Sequence, residues 1–323
     1  MRSEALVQLY ILRRLLLMIP VLFGVSLIIF GILRALPGDA IDAELANAGQ
    51  LSPQEKAQAR ATLGLDKPLW RQYLIWVGDA LRGDLGTSFH SRIAVTEDLR
   101  DRIPVTAELA LLTLVVAIAI GIPIGILSAA RSDSPLDYVA RSGSVIFLSM
   151  PTFWIGIMLL YFLSRWAGYF PPYGQRFNLF TETRQNLESM VWPALTLGLP
   201  FAAVVMRLTR SQMLEILRQD YIRTAWAKGL RERAVIARHA LKNAMIPVVT
   251  VVGNQLGFLL GGTVVTEQLF SLPGVGRQTR DAIFTRDYPV LQANILLLAL
   301  SFLVVNLIVD LIYARLDPRI RYS

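Results

Sequence analysis

The sequence predicts an all-α integral membrane protein with six transmembrane helices. Of its 323 residues, 54% are hydrophobic and only 17% are charged, whereas roughly a quarter of the residues in a soluble domain are charged. The hydrophobic residues cluster in six windows that contain no Asp, Glu, Lys or Arg. These windows are Leu15–Leu33, Leu109–Ala130, Ser142–Ser164, Ser189–Met206, Asn243–Thr266 and Tyr288–Val309. Each window has about 18–24 residues, which is the length that a helix needs to cross a hydrocarbon core of roughly 30 Å.

The distribution of charge predicts that both termini lie in the cytoplasm. Six spans place both termini on one side, together with the second and fourth loops. The segments on that side are 1–14, 131–141, 207–242 and 313–323, and those on the other side are 34–104, 167–188 and 267–287. The first set holds 17 Lys and Arg against 7 Asp and Glu, and the second set holds 14 against 15. Since cytoplasmic loops carry the excess of basic residues, the first set is cytoplasmic.

The windows divide the chain into four parts. Residues 1–34 form the cytoplasmic N-terminus and the first helix, which we expect to be retained because no small-x-small cleavage site closes it. Residues 35–104 form a small extracytoplasmic helical insertion, 105–312 form the core with helices 2–6, and 313–323 form a cytoplasmic tail. In the insertion, Ser52–Glu55 is a capping box, and apolar residues at helical spacing predict a helix over Pro68–Leu81 that ends at Gly83.

The long inside segment, residues 207–246, contains the most distinctive local pattern. Asp220 is a good helix N-cap, and it precedes a predicted short helix over 221–228 that ends at Gly229, a residue suited to the left-handed position after a helix. This helix would present Tyr221, Ile222, Ala225 and Trp226 to a partner. A second amphipathic helix is expected to run from Glu232 towards Ile246 and Pro247.

Several classes of function are excluded by composition and by missing motifs. The chain has no Cys and two His, and it lacks the phosphate-binding loop, the His-Glu-x-x-His motif and the Gly-x-Ser-x-Gly motif. We therefore expect no catalytic residue and no metal site, with His90 at the surface and His239 structural within its loop. A DNA-binding role for the basic inside segment is disfavoured because membrane spans tether both of its ends.

Four polar residues within the spans are candidates for lining a translocation path. They are Asn254, Gln255, Asn306 and Asp310. Polar groups at this depth also leave open an ATP-independent secondary transporter or channel, and Asn306 with Asp310 can instead make an interhelical hydrogen bond or an ion pair with Arg. Glu267 is expected to be a solvated helix end rather than a gate. A ladder of small residues in the fifth window predicts close helix packing; its members are Gly253, Gly257, Gly261 and Gly262.

The inside segment resembles the cytoplasmic loop of permeases from ATP-binding-cassette (ABC) importers, whose pattern is Glu-Ala-Ala-x-x-x-Gly. Ala225 and Gly229 agree with that pattern, whereas Arg223 and Thr224 depart from it. These departures, and those at His239, Leu241 and Lys242, are similar to the dipeptide, oligopeptide, glutathione and nickel branch of the family. Motifs along nearly the whole chain resemble that branch too. They are Pro37-Gly38-Asp39, Leu63-Gly64-Leu65-Asp66, Gly83-Asp84-Leu85-Gly86 with Ser88, Phe270-Ser271-x-Pro273-Gly274-x-Gly276, Arg286-Asp287-Tyr288-Pro289 and Asp317-Pro318-Arg319-Ile320.

The resemblance implies a type I ABC importer fold in a bacterial inner membrane. Its implied partners are a second homologous permease chain, two cytoplasmic ATPase subunits that bind ATP and Mg, and an extracytoplasmic solute-binding protein docked on segment 34–104 near Trp70 and Trp76. No cofactor belongs to this chain. The implied cargo is a di- or oligopeptide, with glutathione, a nickel chelate or an opine as alternatives. The residues implied to couple the ATPase are Asp220, Tyr221, Ile222, Arg223, Thr224, Ala225, Trp226, Lys228, Gly229 and Leu241.

The charge asymmetry makes a topological prediction. A Cys introduced at Ser323 should resist a membrane-impermeant thiol reagent in intact cells, whereas a Cys introduced at Ser52 in the 34–104 segment should react. The sequence contains no native Cys, so labelling reports only the introduced residue. Rapid labelling of the Ser323→Cys variant in intact cells would contradict the predicted orientation.

Overall fold

The computed structural model describes residues 2–35, 66–172 and 174–316, and these residues are almost entirely helical. The helices are α1 (Arg2–Ala35), α2 (Leu69–Leu81), α3 (Val95–Ala130), α4 (Pro135–Ser149), α5 (Thr152–Ala167), α6 (Thr183–Leu217), α7 (Asp220–Ala227), α8 (Glu232–Ala234), α9 (Leu241–Leu269), α10 (Val275–Thr285) and α11 (Tyr288–Leu316). A π-helical segment, Val235–Ala240, joins α8 to α9. The predicted capping box at Ser52 and the motifs at 37–39 and 317–320 lie outside the described residues, and so does the 63–66 motif apart from Asp66.

Four of the described helices are long and apolar enough to cross a membrane. Their candidate spans are Ile11–Ala35, Val95–Ala130, Thr183–Leu217 and Tyr288–Leu311. Two bent helix pairs raise the number to as many as six if each pair is one span. The all-α membrane fold predicted from the sequence is therefore confirmed. The predicted helix over Pro68–Leu81 is confirmed too, as α2, and the following Gly83 has φ of +86°.

The third apolar window is not one continuous helix, so that prediction is wrong in its geometry. The window is divided between α4 and α5, whose axes differ by 106°. The break is at Met150 and Pro151, both with extended backbone. Proline lacks an N–H and disfavours the helical conformation of the preceding residue, so Pro151 ends α4 and serves as the N-cap of α5.

The helix that contains the fifth window is preceded by an irregular helical segment and is bent near its start. The sequence predicted one amphipathic helix from Glu232 towards Pro247, but the structure has one α-helical turn, the π-helical segment and then α9. Pro247 lies inside α9, and the pair Glu232–Met245 and Pro247–Gly257 is bent by 48°. The helix therefore bends at the proline and continues to Leu269, rather than ending there.

The first of two compact units consists of Met1–Thr106 and Pro273–Leu303. Its apolar core combines residues from α1, α3, α10 and α11, including Leu33, Leu99, Val275 and Leu291. Polar contacts join α3 to α10, since Thr106 Oγ1 accepts from the backbone N–H of Val275 at 2.9 Å. The predicted boundary between the insertion (35–104) and the core (105–312) lies inside α3, because that helix runs without interruption from Val95 to Ala130.

The second unit consists of Ala107–Leu272 and Val304–Ser323, and α6 is its central helix. The apolar window of α6 is 67% buried. On one side α6 packs against α3 and α9 through an apolar cluster whose members are Ala117, Phe201, Ala202, Val205, Val248, Val252 and Leu259.

Two glycines allow α3 to approach the backbone of α6. A Cβ added at Gly121 would lie 2.7 Å from the carbonyl oxygen of Ala202, and one at Gly125 would lie 2.8 Å from that of Met206.

The predicted glycine ladder of the fifth window is borne out at one of its positions. A Cβ at Gly253 would collide with the side chain of Val309, so α9 and α11 approach closely there. A Cβ at Gly261 would meet nothing within 4 Å. The close contact between α3 and α6 was not predicted, although Gly121 and Gly125 have the same four-residue spacing.

The approach of α3 to α6 generates a stability prediction. Gly125→Leu should destabilise the fold by about 1–3 kcal/mol, because the added atoms must displace the backbone of α6. Gly143→Leu is the matched control, since a Cβ at Gly143 in α4 meets nothing within 4 Å. The temperature at which each detergent-purified variant loses its monodisperse elution peak measures the difference. Equal temperatures for the two variants would contradict the packing argument.

Candidate functional site

The short helix α7 begins and ends within one residue of the positions that the sequence predicted. It follows Gln219, whose extended backbone occupies the N-cap position, and begins at Asp220. The expectation that Asp220 is the N-cap is therefore wrong. Its carboxylate lies in the first turn, where a negative charge stabilises the positive end of the helix dipole. The helix ends at Ala227, and Gly229 has φ of +75°, as the sequence predicted for a residue that stops the helix.

The buried face of α7 packs against the same chain. Ile222 is 0% and Ala225 is 6% exposed. They belong to a cluster that we call the α7 cluster, which contains Ala129, Met213, Ile222, Ala225, Val235, Ala240 and Ala244. The structure therefore places Ile222 and Ala225 against their own chain, with at most 6% of either residue exposed, rather than on a surface presented to a partner as we expected. Leu241 also packs against this cluster.

Two apolar side chains that flank the buried face of α7, and a third just after the helix, remain accessible to a partner. Tyr221 is 43%, Trp226 is 44% and Leu230 is 38% exposed, and we call these three residues the exposed α7 face. The hydroxyl of Tyr221 accepts a hydrogen bond from Asn243 Nδ2 at 2.9 Å, so this ring is oriented by α9.

The polar coupling candidates lie at the periphery of α7. Arg223 Nη1 is 3.3 Å from Asp220 Oδ1, and both side chains are largely exposed, so this ion pair contributes little to stability. Thr224 Oγ1 donates to the carbonyl of Asp220 at 3.0 Å. Lys228 is exposed, whereas His239 is half-buried in the π-helical segment. Arg223 and Thr224 therefore lie on the solvent face of α7, between Trp226 and Tyr221 around the helix axis.

A buried ion pair that sequence reasoning missed lies in the same unit. Asp137 is 0% exposed, and Arg210 donates to both of its carboxylate oxygens at 2.7 Å. Ser128 Oγ and the backbone N–H of Asp133 donate to the same carboxylate. A planar bidentate pair with additional donors satisfies the acceptor sites that burial removes from water. The charges of Asp137 and Arg210 are visible in the sequence, but their pairing is not, because the two residues are 73 positions apart.

The ion pair and the α7 cluster are built on the same two helices. Ser128 is adjacent to Ala129 at the end of α3, and Arg210 is three residues before Met213 on α6, and both Ala129 and Met213 belong to the α7 cluster. Asp137 lies in the first turn of α4. The start of α4 is therefore fixed to the helices against which α7 packs.

On the other unit, two sequence motifs meet around one carboxylate. Asp287, which is 3% exposed, accepts hydrogen bonds from Ser88 Oγ and from the backbone N–H groups of Phe89 and His90. A Cβ at Gly86 would lie 3.4 Å from Pro289. The Gly83–Ser88 motif and the Arg286–Pro289 motif thus fold together although they are separated by about 200 residues. The side chain of His90 is exposed, as expected.

The translocation-path candidates are placed but not brought into a single site. Asn254 is exposed and Gln255 is half-buried on α9, and Asn306 and Asp310 are half-buried one turn apart on α11. Their role remains a prediction. Glu267 is 0% exposed, so the expectation of a solvated helix end is wrong. Within the described ranges, no group of three or more His, Cys, Asp or Glu could hold a metal ion.

Comparison with models of known protein families identifies the family of this chain. The model described as "Binding-protein-dependent transport system inner membrane component" matches residues 121–322. A second model, described as its N-terminal part, matches residues 7–110. This chain belongs to that family. It is a membrane component of a binding-protein-dependent transport system, and such components act with a partner permease, ATPases and a binding protein.

Relatives of this permease match it over their full length. The dipeptide transport system permease protein DppB of Escherichia coli strain K12 is 42% identical, over 97% of this chain and 99% of that protein. The oligopeptide transport system permease protein AppB of Bacillus subtilis strain 168 is 40% identical over the same shares. The glutathione transport system permease protein GsiC of Escherichia coli O6:H1 is also 40% identical, again over 97% of this chain and 99% of that protein.

Solved structures show the same fold at low sequence identity. A chain of the inward-facing MetNI methionine ABC transporter superposes with a TM-score of 0.54 and 18% identity, over 68% of this permease and 96% of that chain. A chain of an amino acid ABC transporter with histidines gives 0.52 and 15%, over 70% and 95%. The ABC importer permease fold predicted by resemblance is therefore confirmed.

The buried ion pair generates a prediction about the stability of this permease. Asp137→Asn or Arg210→Gln alone should destabilise it by about 3 kcal/mol, because each leaves the other polar group buried without its partner. The double variant should lose less than the sum of the two single losses. Arg184→Gln is the control, since the Arg184 side chain is 88% exposed in its pair with Glu188 and should contribute at most about 1 kcal/mol. Unfolding in SDS measures all four variants. Additive single losses would show that the pair contributes no interaction energy.

Proposed function

We propose that this chain is one half of the membrane pathway of an ATP-driven importer for di- or oligopeptides, coupled to a cytoplasmic ATPase through residues 220–242. The division of the apolar residues of α7 and its C-terminal flank into buried and exposed sets carries the proposal. Its buried face is held by α3, α6 and α9 through the α7 cluster, and its exposed face presents Tyr221, Trp226 and Leu230. The full-length similarity to dipeptide and oligopeptide permeases supports a peptide cargo.

Force would pass through α7 in two steps. An ATPase groove that encloses Trp226 displaces α7 when the ATPase changes conformation on ATP binding. Because Ile222 and Ala225 are packed against Met213 and Val235 in a close-packed core, the displacement reaches α6 and α9 rather than being absorbed. Both α6 and α9 extend into apolar windows, so motion in the cytoplasm changes the packing of helices in the membrane.

The remaining parts of the machine would come from other chains. This chain has no phosphate-binding loop, so ATP and Mg are bound by two partner ATPases, and the chain itself is not an enzyme. A second homologous permease supplies the other half of the pathway in a bacterial inner membrane, with the termini of this chain in the cytoplasm. The solute-binding protein docks on segment 34–104. The ring of Trp76 stacks on Phe30 of the same chain, with ring centroids 6.0 Å apart. Leu81, which is 84% exposed, is therefore a better candidate contact for the binding protein than Trp76.

A transport assay tests the proposal against an ATP-independent secondary transporter or channel. The complete complex is reconstituted in vesicles with its binding protein and a labelled dipeptide. Uptake should require ATP and the binding protein together. Uptake of the free dipeptide without ATP would overturn the proposal, and ATP-driven uptake of glutathione, a nickel chelate or an opine, but not of a dipeptide, would replace the cargo.

The geometry of α7 separates coupling from stability in a matched set of variants. Trp226→Ala should weaken ATPase attachment by about 2 kcal/mol or more, as for a buried interface anchor. It should not destabilise the permease itself, because the Trp226 side chain is 44% exposed in this chain. Gly229→Asp places a Cβ where nothing lies within 4 Å but at φ of +75°. The strain of about 1 kcal/mol should redirect the chain after α7 and stop uptake. Ile222→Ala should instead destabilise the permease by about 2–5 kcal/mol.

Three measurements on each variant make the distinction. They are the temperature of unfolding in detergent, the amount of ATPase that co-purifies, and peptide uptake. Normal ATPase attachment and normal uptake in the Gly229→Asp and Trp226→Ala variants would contradict the assignment of α7 as the coupling helix. Equal loss of thermal stability in Trp226→Ala and Ile222→Ala would show that α7 is only structural.

A further inference from the structure

A basic cleft lies in the first unit, at the end that the charge distribution places outside the cytoplasm. It has a volume of about 430 Å³ and lies between the end of α1, α2, the loop at 86–92 and the start of α11. Three cationic residues line it, Arg34, Lys67 and Arg92, against one acidic residue, Asp79. The cleft therefore carries a formal excess of two positive charges, which favours an anionic occupant.

Two hydrogen-bond donors in this cleft have no acceptor among the described residues. Gln292 is 3% exposed, and its Nε2 has no hydrogen-bond partner. Nη1 of Arg34 is also buried without a partner, although Nε of the same guanidinium donates to Gln72 Oε1 at 3.0 Å. Buried donors without acceptors are rare in folded proteins because they have lost their water. Both side chains line one cleft, so a single acceptor group that reached both donors would satisfy them together.

An apolar groove adjoins the cleft at Arg34. It has a volume of about 590 Å³ and lies between α1 and α2, with Leu27, Phe30 and Trp70 among its walls. The guanidinium carbon of Arg34 lies 3.5 Å from the centre of the Phe30 ring, so Arg34 borders both the basic cleft and the apolar groove. A ligand that fills both spaces must combine an oxyanion with an apolar chain.

We propose that the cleft and the groove bind one anionic phospholipid from the outer leaflet of the membrane. Its phosphate accepts hydrogen bonds from Arg34 Nη1 and Gln292 Nε2, and one acyl chain lies in the groove. Basic pockets beside transmembrane helices bind anionic head groups in this way, and guanidinium is well suited to phosphate. A phospholipid is favoured over a peptide because Leu27 and Phe30 belong to the apolar window of α1, where the groove wall lies at the depth of the acyl chains.

Lipid binding to the complete permease–ATPase complex tests this proposal. The complex is stripped of lipid, placed in phosphatidylcholine nanodiscs and titrated with phosphatidylglycerol, and bound lipid is counted by native mass spectrometry. Arg34→Gln and Gln292→Leu should each weaken phosphatidylglycerol binding at least about tenfold, as expected for loss of a hydrogen bond to a charged group. Arg82→Gln should leave binding unchanged, because that side chain is 82% exposed and does not line the cleft.

A third cleft variant and three competing ligands complete the test. Lys67→Gln removes one charge at the cleft without replacing a buried group, and it should weaken binding about fivefold even if Arg34→Gln does not fold. Zwitterionic phosphatidylethanolamine should bind at least about tenfold more weakly than phosphatidylglycerol. Displacement of the lipid by inorganic phosphate would reveal a site for phosphate alone, and displacement by a dipeptide would reveal a cargo site. Either result, or equal binding by wild type and all three cleft variants, would overturn the proposal.

Discussion

The carboxylate of Asp137 is removed from water and is surrounded by donors from two helices and a turn. Arg210 supplies two of them at 2.7 Å, and Ser128 and the backbone of Asp133 supply the others. Removing water from a charge is favourable only when all of these contacts form together. The start of α4 and the ends of α3 and α6 on this side are therefore determined as one arrangement, and the α7 cluster is assembled on the same ends of α3 and α6.

This arrangement explains how a helix of eight residues can have a defined position. An isolated helix of that length is unstable in water, and the ion pair of α7 between Arg223 and Asp220 is exposed. Ile222 and Ala225 supply the missing stability by packing into the α7 cluster. The exposed α7 face can therefore bind a partner without first being ordered by it, which reduces the conformational entropy lost on binding.

The features predictable from the sequence were those encoded by neighbouring residues. The apolar windows, α2 and the left-handed Gly229 all follow from local pattern or from backbone preference. The features that were missed depend on contacts between distant residues. Asp137 and Arg210 are separated by 73 residues, Ser88 and Asp287 by 199. Likewise, a helical pattern shows that α7 has an apolar face, but it cannot show that Ile222 faces its own chain while Trp226 remains half-exposed.

The 106° turn at Pro151 illustrates the same limit. A proline interrupts a helix, but the angle of the break depends on what α4 and α5 contact. The fate of Glu267 was also decided at a distance, because the polarity of a helix end does not reveal whether other elements cover it. The sequence therefore predicted the all-α membrane fold and the position of the short helix α7, whereas the structure was needed to show which of its apolar residues are buried and which are exposed.

The π-helical segment Val235–Ala240 has a consequence for the register of the membrane core. A π turn accommodates about one more residue than an α turn, and one residue corresponds to about 100° of rotation around a helix axis. This segment therefore sets which side of α9 meets its neighbours, including the side on which Gly253 meets Val309. A transition between π and α geometry in this segment would rotate α9 about its own axis. Such a rotation requires no change in the length of α9 or in its backbone hydrogen bonds within the membrane.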